Sequence, residues 1–196
     1  MSDQKQPDKT RRTLLVATSV AGGAATAGAA VPFVASMLPS ERAKAAGAPI
    51  EVDISKLVPG ELGIFDWRGK PVWVMKRTKQ MLEDIKKDDA LVVDPNSEVD
   101  HQPEYAKNEY RSRKPEVMVL VGVCTHLGCS PEKKAAGAAD MGTEWNGGFY
   151  CPCHGSKFDY AGRVYKGVPA PTNLIVPPYT YLSDSTILVG DDKKGA

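Results

Sequence analysis

Two short motifs rich in cysteine and histidine are the part of this sequence that could do chemistry. They read Cys-Thr-His-Leu-Gly-Cys at 124–129 and Cys-Pro-Cys-His-Gly-Ser at 151–156. Together they supply all four cysteines of the chain and two of its three histidines. Thiolate sulfur and imidazole nitrogen are the ligands that proteins use for zinc, copper and iron–sulfur sites. Four such side chains are enough for a metal centre, so two of the six remain for another role.

The doubled motif, Cys-x-His followed by Cys-x-x-His, resembles the ligand pattern of Rieske iron–sulfur proteins, in which two histidines replace two cysteines on one iron. By that resemblance the cofactor is one [2Fe–2S] cluster. The implied ligands are Cys124 and Cys151 on one iron, and His126 and His154 on the other. Neutral imidazoles in place of thiolates raise the charge of the oxidised site, and the reduction potential rises with it.

The resemblance also implies a role for each neighbour of the ligands. His154 is the candidate that takes a proton from quinol, with His126 as its exposed neighbour. Ser156 is expected to donate a hydrogen bond to a cluster sulfur, which raises the potential. Many members carry tyrosine two positions further on, where this chain has Phe158. Phenylalanine cannot donate that second bond, so we expect a potential below that of tyrosine-bearing relatives.

Two cysteines are left over, and an even pair in an oxidising compartment is expected to be oxidised. The family pairs them, which implies a disulfide between Cys129 and Cys153. The segment 167–171, with Pro169 at its centre, resembles the proline-rich loop that covers the cluster in this family. Leu127 and Gly128 lie between ligand and disulfide, with Leu127 at the tip expected to dock on cytochrome b.

The alternative interpretation of the two motifs is a structural zinc site. Zinc would need no disulfide and would not favour Leu127 and Gly128 between its ligands. The remaining histidine, His101, lies in a polar stretch away from the motifs and is expected on the surface. Trp67, Trp73 and Trp145 are expected to be core or rim aromatics.

The N-terminal part of the sequence predicts export and attachment to a membrane. No charged residue lies between positions 13 and 40, and the apolar stretch 14–38 is long enough to span a bilayer. Thr10-Arg11-Arg12-Thr13-Leu14-Leu15 resembles the twin-arginine signal read by the Tat translocon. The positive charge of residues 1–12 predicts a cytoplasmic N-terminus. Ala43-Lys44-Ala45 also fits a signal peptidase site, so removal of the segment is left open.

Four regions follow along the chain. Residues 1–12 form the cytoplasmic N-terminus with the export signal, 13–38 a transmembrane helix, and 39–49 a hinge or tether. Residues 50–196 form a periplasmic Rieske domain, whose cluster-binding part covers about 122–172. The fold class is all-β: a Rieske-type antiparallel β-sandwich with a small cluster-binding subdomain, preceded by one transmembrane helix.

The local pattern of the soluble part favours short strands and turns. Strands are predicted at 61–65, 71–76, 117–123, 148–150, 176–182 and 186–189, with a turn at 66–69. A short helix is predicted at 79–87. The stretch 95–115 is polar and too long for a tight turn, so it is interpreted as a surface insertion. The linker from 130 to 150 is longer than in mitochondrial-type members.

The combined features resemble the Rieske subunit of a bacterial cytochrome bc1 complex. That resemblance implies a subunit of quinol–cytochrome c reductase that accepts an electron and a proton from ubiquinol at cytochrome b and passes the electron to cytochrome c1. It implies a single-pass protein of the bacterial inner membrane within a dimeric complex. The small Rieske subunit of another exported oxidase, such as arsenite oxidase, is the alternative. The formal net charge of +1, with acidic and basic residues interspersed, gives no sign of the concentrated basic surface that binds nucleic acid, so nucleic acid is not expected as a partner.

Overall fold

The computed structural model describes residues 8–192. The chain divides into two compact units, with the division between residues 45 and 46. The boundaries predicted at 12, 38 and 49 differ in detail from this division and stay predictions.

The first unit is helical. Helix α1 spans Lys9–Ser36 and begins at Asp8, whose carboxylate accepts a hydrogen bond from the backbone N–H of Thr10. No residue of α1 is buried. Within the described residues, the helical segment from Lys9 to Ala45 is the one long and apolar enough to cross a membrane. The predicted span at 13–38 therefore overlaps α1, which begins four residues earlier and ends two residues sooner.

The predicted tether contains a second helix. Helix α2 spans Glu41–Ala46, and its exposed Glu41 and Lys44 form an ion pair at 2.7 Å. A pair as exposed as this contributes little stability. The structure thus shows a short helix in the predicted tether, and the flexibility of 39–49 stays a prediction.

The second unit holds three antiparallel sheets of three strands each, which confirms the all-β class. The first sheet has the order β1-β9-β8, the second β2-β3-β4 and the third β5-β6-β7. The strands are β1 (Ile50–Asp53), β2 (Leu62–Trp67), β3 (Lys70–Lys76), β4 (Val117–Val121), β5 (Glu132–Lys134), β6 (Gly148–Tyr150), β7 (Lys157–Phe158), β8 (Tyr179–Ser183) and β9 (Thr186–Val189). Helix α3 covers Lys79–Lys87, as predicted.

Several strand ends differ from the prediction. Strand β2 continues to Trp67, and the turn narrows to Arg68 and Gly69, both with positive φ (55° and 68°). A two-residue turn of this kind matches the twist of a hairpin. Strand β8 begins only at Tyr179, because the prolines at 177 and 178 have no N–H to give to a sheet. The short strands β1, β5 and β7 carry too few residues for a visible alternation.

One core joins the three sheets. All five residues of β4 are buried, and the Trp73 ring on β3 stacks on Phe149 of β6 with ring centroids 4.7 Å apart. Gly122, just after β4, lies under the same indole, and a Cβ at that position would come within 2.1 Å of it. The core therefore fixes the strand ends from which the two motifs start.

The interpretation of 95–115 as a surface insertion is wrong in part. His101 is exposed as expected, but Arg111 is fully buried. Its guanidinium donates to the carbonyl oxygens of Ala161 and Gly162 and to the side chain of Gln102. A polar stretch is normally expected at the surface, so its composition gave no sign of a buried residue. An arginine can be buried where its N–H groups find acceptors, as those of Arg111 do.

Candidate metal centre

The two motifs form two loops with the same backbone frame. The first cluster loop is 124–129 and follows β4; the second is 151–156 and follows β6 directly. In the first, Cys124 N–H donates to the Cys129 carbonyl at 2.7 Å and Gly128 N–H to the Cys124 carbonyl at 3.0 Å. In the second, Cys151 N–H donates to the Ser156 carbonyl at 2.8 Å and Gly155 N–H to the Cys151 carbonyl at 2.9 Å. Each loop is thus closed onto its first cysteine.

A glycine at the fifth position makes this frame possible in each loop. Gly128 has φ 85° and Gly155 has φ 80°, a region that glycine enters without steric cost. Sequence analysis gave Gly128 a place near the cluster but no backbone role. The spacing of glycine from cysteine, equal in the two motifs, is the signal that could have indicated it.

The first cysteine of each loop is a buried free thiol. Cys124 is 3% exposed and Cys151 is 2% exposed. Burial raises the pKa of the Cys151 thiol, and the nearby Cys124 thiol adds to the effect. A pair of close, buried thiols is stabilised as thiolates when they bind a metal ion, and that fits the donor set of an iron–sulfur site.

The two histidines lie side by side. The rings of His126 and His154 have centroids 4.8 Å apart and are perpendicular. His154 is exposed, whereas His126, expected to be its exposed neighbour, is half-buried. Two imidazoles and two buried thiols therefore come from paired loops, as a site with two sulfur and two nitrogen ligands requires.

Cys129 and Cys153 form a disulfide, as the resemblance implied. It joins the two loops across a sequence separation of 24 residues. The sulfurs of Cys129, Cys151 and Cys153 all lie within 4.8 Å of one another. Because only a thiolate is a good metal ligand, the two disulfide sulfurs are unsuited to bind metal despite this proximity. Cys151 is left as the ligand candidate of the second loop's two cysteines.

The proline-rich loop is held to both cluster loops by hydrogen bonds. The fully buried Ser156 accepts a bond at its Oγ from the backbone N–H of Ala170 at 3.0 Å. Thr125 Oγ1 donates to the carbonyl oxygen of Thr172 at 2.7 Å. Sequence analysis missed Thr125, Ala170 and Thr172 in this role. No local pattern indicates them, because their partners are about 14 to 47 residues away in the chain.

The remaining predicted site residues lie at the surface of this end of the domain. Leu127 is 71% exposed, an unusual state for a large apolar side chain beside a buried site. Gly128 and Pro169 are exposed as well. Phe158, on β7 just after the second loop, is fully buried and pairs with Phe149 across the sheet.

Comparison with known families places this arrangement in a class. Residues 89–180 match the model of the Rieske [2Fe-2S] domain, which confirms the predicted cofactor over structural zinc. Residues 1–40 match a second model, described as Ubiquitinol-cytochrome C reductase Fe-S subunit TAT signal. The chain is a Rieske protein with a Tat signal at its N-terminus.

Individual relatives narrow the class to one family. The chain is 56% identical to the ubiquinol-cytochrome c reductase iron-sulfur subunit of Allochromatium vinosum, with 100% of this chain and 95% of the relative covered. It is 41% identical to the Blastochloris viridis subunit of the same name, with 97% and 98% covered. The chain therefore belongs to the family of ubiquinol–cytochrome c reductase iron–sulfur subunits. These relatives favour that interpretation over the arsenite oxidase alternative.

Two further comparisons extend the range. The mitochondrial Rieske subunit of the Bos taurus cytochrome b-c1 complex is 40% identical, with 90% of this chain and 58% of the relative covered. A solved chain from a hyperthermophilic respiratory Complex III is 27% identical and has a TM-score of 0.48, with 88% and 97% covered.

Proposed function

We propose that this chain is the electron-carrying subunit of a bacterial cytochrome bc1 complex. It accepts one electron and one proton from ubiquinol at cytochrome b and passes the electron to cytochrome c1, which contributes to the proton-motive force. The observation that carries the proposal is the pairing of two buried thiols with two adjacent imidazoles, one of them exposed, at the end of a domain of this family.

Each ligand has a defined place in this proposal. Cys124 and Cys151, which are buried, would hold one iron, and His126 and His154 would hold the other. When bound, the [2Fe–2S] cluster supplies one-electron chemistry at a potential that the imidazole ligands raise. The two cysteines are buried, whereas His126 is half-buried and His154 is exposed.

The exposed imidazole carries the proton. His154 is exposed, so its free ring nitrogen can reach a hydroxyl group of quinol in a docked complex. His126 is half-buried beside it and contacts quinol less readily. Proton and electron therefore leave quinol at the same surface, where Leu127 and Pro169 also lie.

Ser156 and the proline-rich loop control the surroundings of the site. The serine oxygen accepts from Ala170, so its own proton is free to bond a cluster sulfur. Such a bond stabilises the reduced state and raises the potential. The same side chain therefore fastens the proline-rich loop and tunes the electron affinity of the cluster.

Membrane attachment completes the proposal. The Tat signal and the apolar helix fit a membrane-anchored subunit. We place the N-terminus in the cytoplasm and the Rieske domain in the periplasm, since residues 1–12 carry the positive charge. The tether at 39–49 lets the domain move between cytochrome b and cytochrome c1 of a dimeric complex.

A redox titration followed by electron paramagnetic resonance tests the electron-carrier role. A [2Fe–2S] signal with a positive midpoint that falls as pH rises past neutrality is the expected result for a quinol oxidant that couples electron and proton. A negative midpoint that does not change with pH would instead indicate a ferredoxin-like carrier. A sample without an iron signal would refute the proposal altogether.

Tether motion has a separate test in the assembled complex. Replacing residues 39–49 by a rigid helical segment should slow turnover while the cluster signal is retained. A complex with unchanged turnover would show that the domain does not need to move.

A further inference from the structure

A groove of about 630 Å³ lies beside the second cluster loop. Its apolar lining comes from the side chains Leu91, Met141, Trp145, Tyr165 and Val168. Met141, Trp145 and Tyr165 form a small buried cluster separate from the main core. Met141 and Trp145 belong to the long linker between the motifs. The linker, whose role the ligand chemistry leaves unexplained, thus builds one wall of the groove.

One lining group is an almost fully buried tyrosine. Tyr165 is 9% exposed, and its hydroxyl lies near the buried Asp88 carboxylate. Burial raises the pKa of Tyr165, and the Asp88 carboxylate adds to the effect. The hydroxyl therefore stays protonated, and the tyrosine forms part of the groove's apolar lining.

The groove is continuous with the surface that the redox reaction uses. Gly155, next to His154, forms part of its lining, as do Gly167 and Val168 at the start of the proline-rich loop. A protein surface that covers His154 therefore extends over the mouth of the groove. Contacts in the groove would strengthen docking of that protein without involving the candidate iron ligands.

The charged groups of the groove favour an acidic occupant. Lys157 and Lys166 line it together with a single carboxylate, that of Glu144. Within the described part of the chain, none of the three takes part in an ion pair. A carboxylate on the partner would meet an excess of positive charge.

We propose that this groove is a second docking site, which receives a segment of cytochrome b, the partner at which His154 meets quinol. The segment carries an apolar or aromatic side chain next to a carboxylate. Tyrosine, tryptophan and methionine are enriched in protein interfaces, which agrees with the lining. The inference rests on the proposed function, because the partner is the protein that docks at His154.

Site-specific photocrosslinking in the assembled complex tests the occupant. Thr143 is exposed and lines the groove, and Ala136 is an exposed residue of the same linker outside it. A benzophenone amino acid at position 143 should crosslink to a peptide of cytochrome b that contains apolar and acidic residues. The same probe at position 136 should not. A crosslink to cytochrome c1, to lipid, to a second copy of this chain or to nothing would overturn the proposal.

A filled groove provides the second measurement. T143W should lower quinol–cytochrome c turnover of the complex about tenfold, the loss expected when a strong interface contact is removed. A136W should retain wild-type turnover, and both variants should keep the cluster signal. Wild-type turnover of T143W would overturn the inference, while an inactive wild-type complex would refute the proposed function instead. If T143W lost its cluster, the crosslink at position 143 would decide alone.

Discussion

The two cluster loops share one backbone frame and differ in what surrounds it. In each, the N–H of the first cysteine reaches the sixth residue and a glycine with positive φ closes the turn. The first loop carries its histidine at the third position, half-buried; the second carries it at the fourth, exposed. A shared frame suits the shared task of holding iron. The shift of one residue gives the two histidines different access to a substrate.

The sixth position shows a second difference. In the first loop it is Cys129, which is bonded to Cys153, and in the second loop it is Ser156, which accepts a hydrogen bond from Ala170. The disulfide therefore ties the two loops to each other, whereas the sixth residue of the second loop is fixed to the proline-rich loop.

The largest expected effect is one that the two loops share. H126Q and H154Q should each abolish the Rieske signal and the visible colour, because a cluster with three ligands is not retained. The cluster should be lost in H154Q as completely as in H126Q, although His154 is the more exposed of the two histidines. H101Q is the matched control, since His101 is exposed and remote from the motifs, and it should keep the full signal. A cluster retained in only one of the two variants would break the equivalence of the loops.

The link between the loops has the next largest effect. Replacing Cys129 and Cys153 together by serine removes a crosslink across 24 residues, worth about 3 kcal/mol by loop-closure entropy. The free energy of unfolding should fall by about that amount, and the cluster should be lost at lower denaturant concentration. Unfolding of the wild type under reducing and oxidising conditions gives an independent comparison. An unchanged midpoint of denaturation would mean that the frame alone holds the loops together.

The hydroxyl groups of Ser156 and Thr125, one in each loop, are expected to affect the midpoint potential differently. S156A removes the acceptor of the buried Ala170 N–H and the predicted bond to sulfur. A differential bond of about 1 kcal/mol corresponds to a midpoint lower by about 40 mV. T125V removes only the bond to the carbonyl of Thr172, a half-buried residue, and should change the midpoint less. Equal shifts measured by redox titration would contradict a special role for the second loop.

Sequence and structure agree best where the chemistry is local. The family resemblance of the doubled motif implied the disulfide between Cys129 and Cys153, and helix α3 was predicted at 79–87, where the structure has it. Contacts between distant segments could not be predicted in this way. The buried role of Arg111 depends on carbonyl groups 50 residues away, and nothing in a polar stretch indicates them. Likewise, the anchors of the proline-rich loop exist only once the fold brings the loops together.

The smallest expected effect concerns Phe158, beside the second cluster loop. It follows the second loop, is fully buried, and occupies the position where the family resemblance implies a tyrosine in many members. F158Y would add a donor whose expected partner is a ligand sulfur, so the midpoint should rise by at most about 40 mV. F149Y is a matched control, because Phe149 is equally buried and pairs with Phe158 but follows no ligand loop. A rise in F158Y alone would place the tuning donor beside the second loop. An unchanged midpoint would mean that the sulfur lies beyond reach of this side chain, and Ser156 would then be the donor that sets the potential.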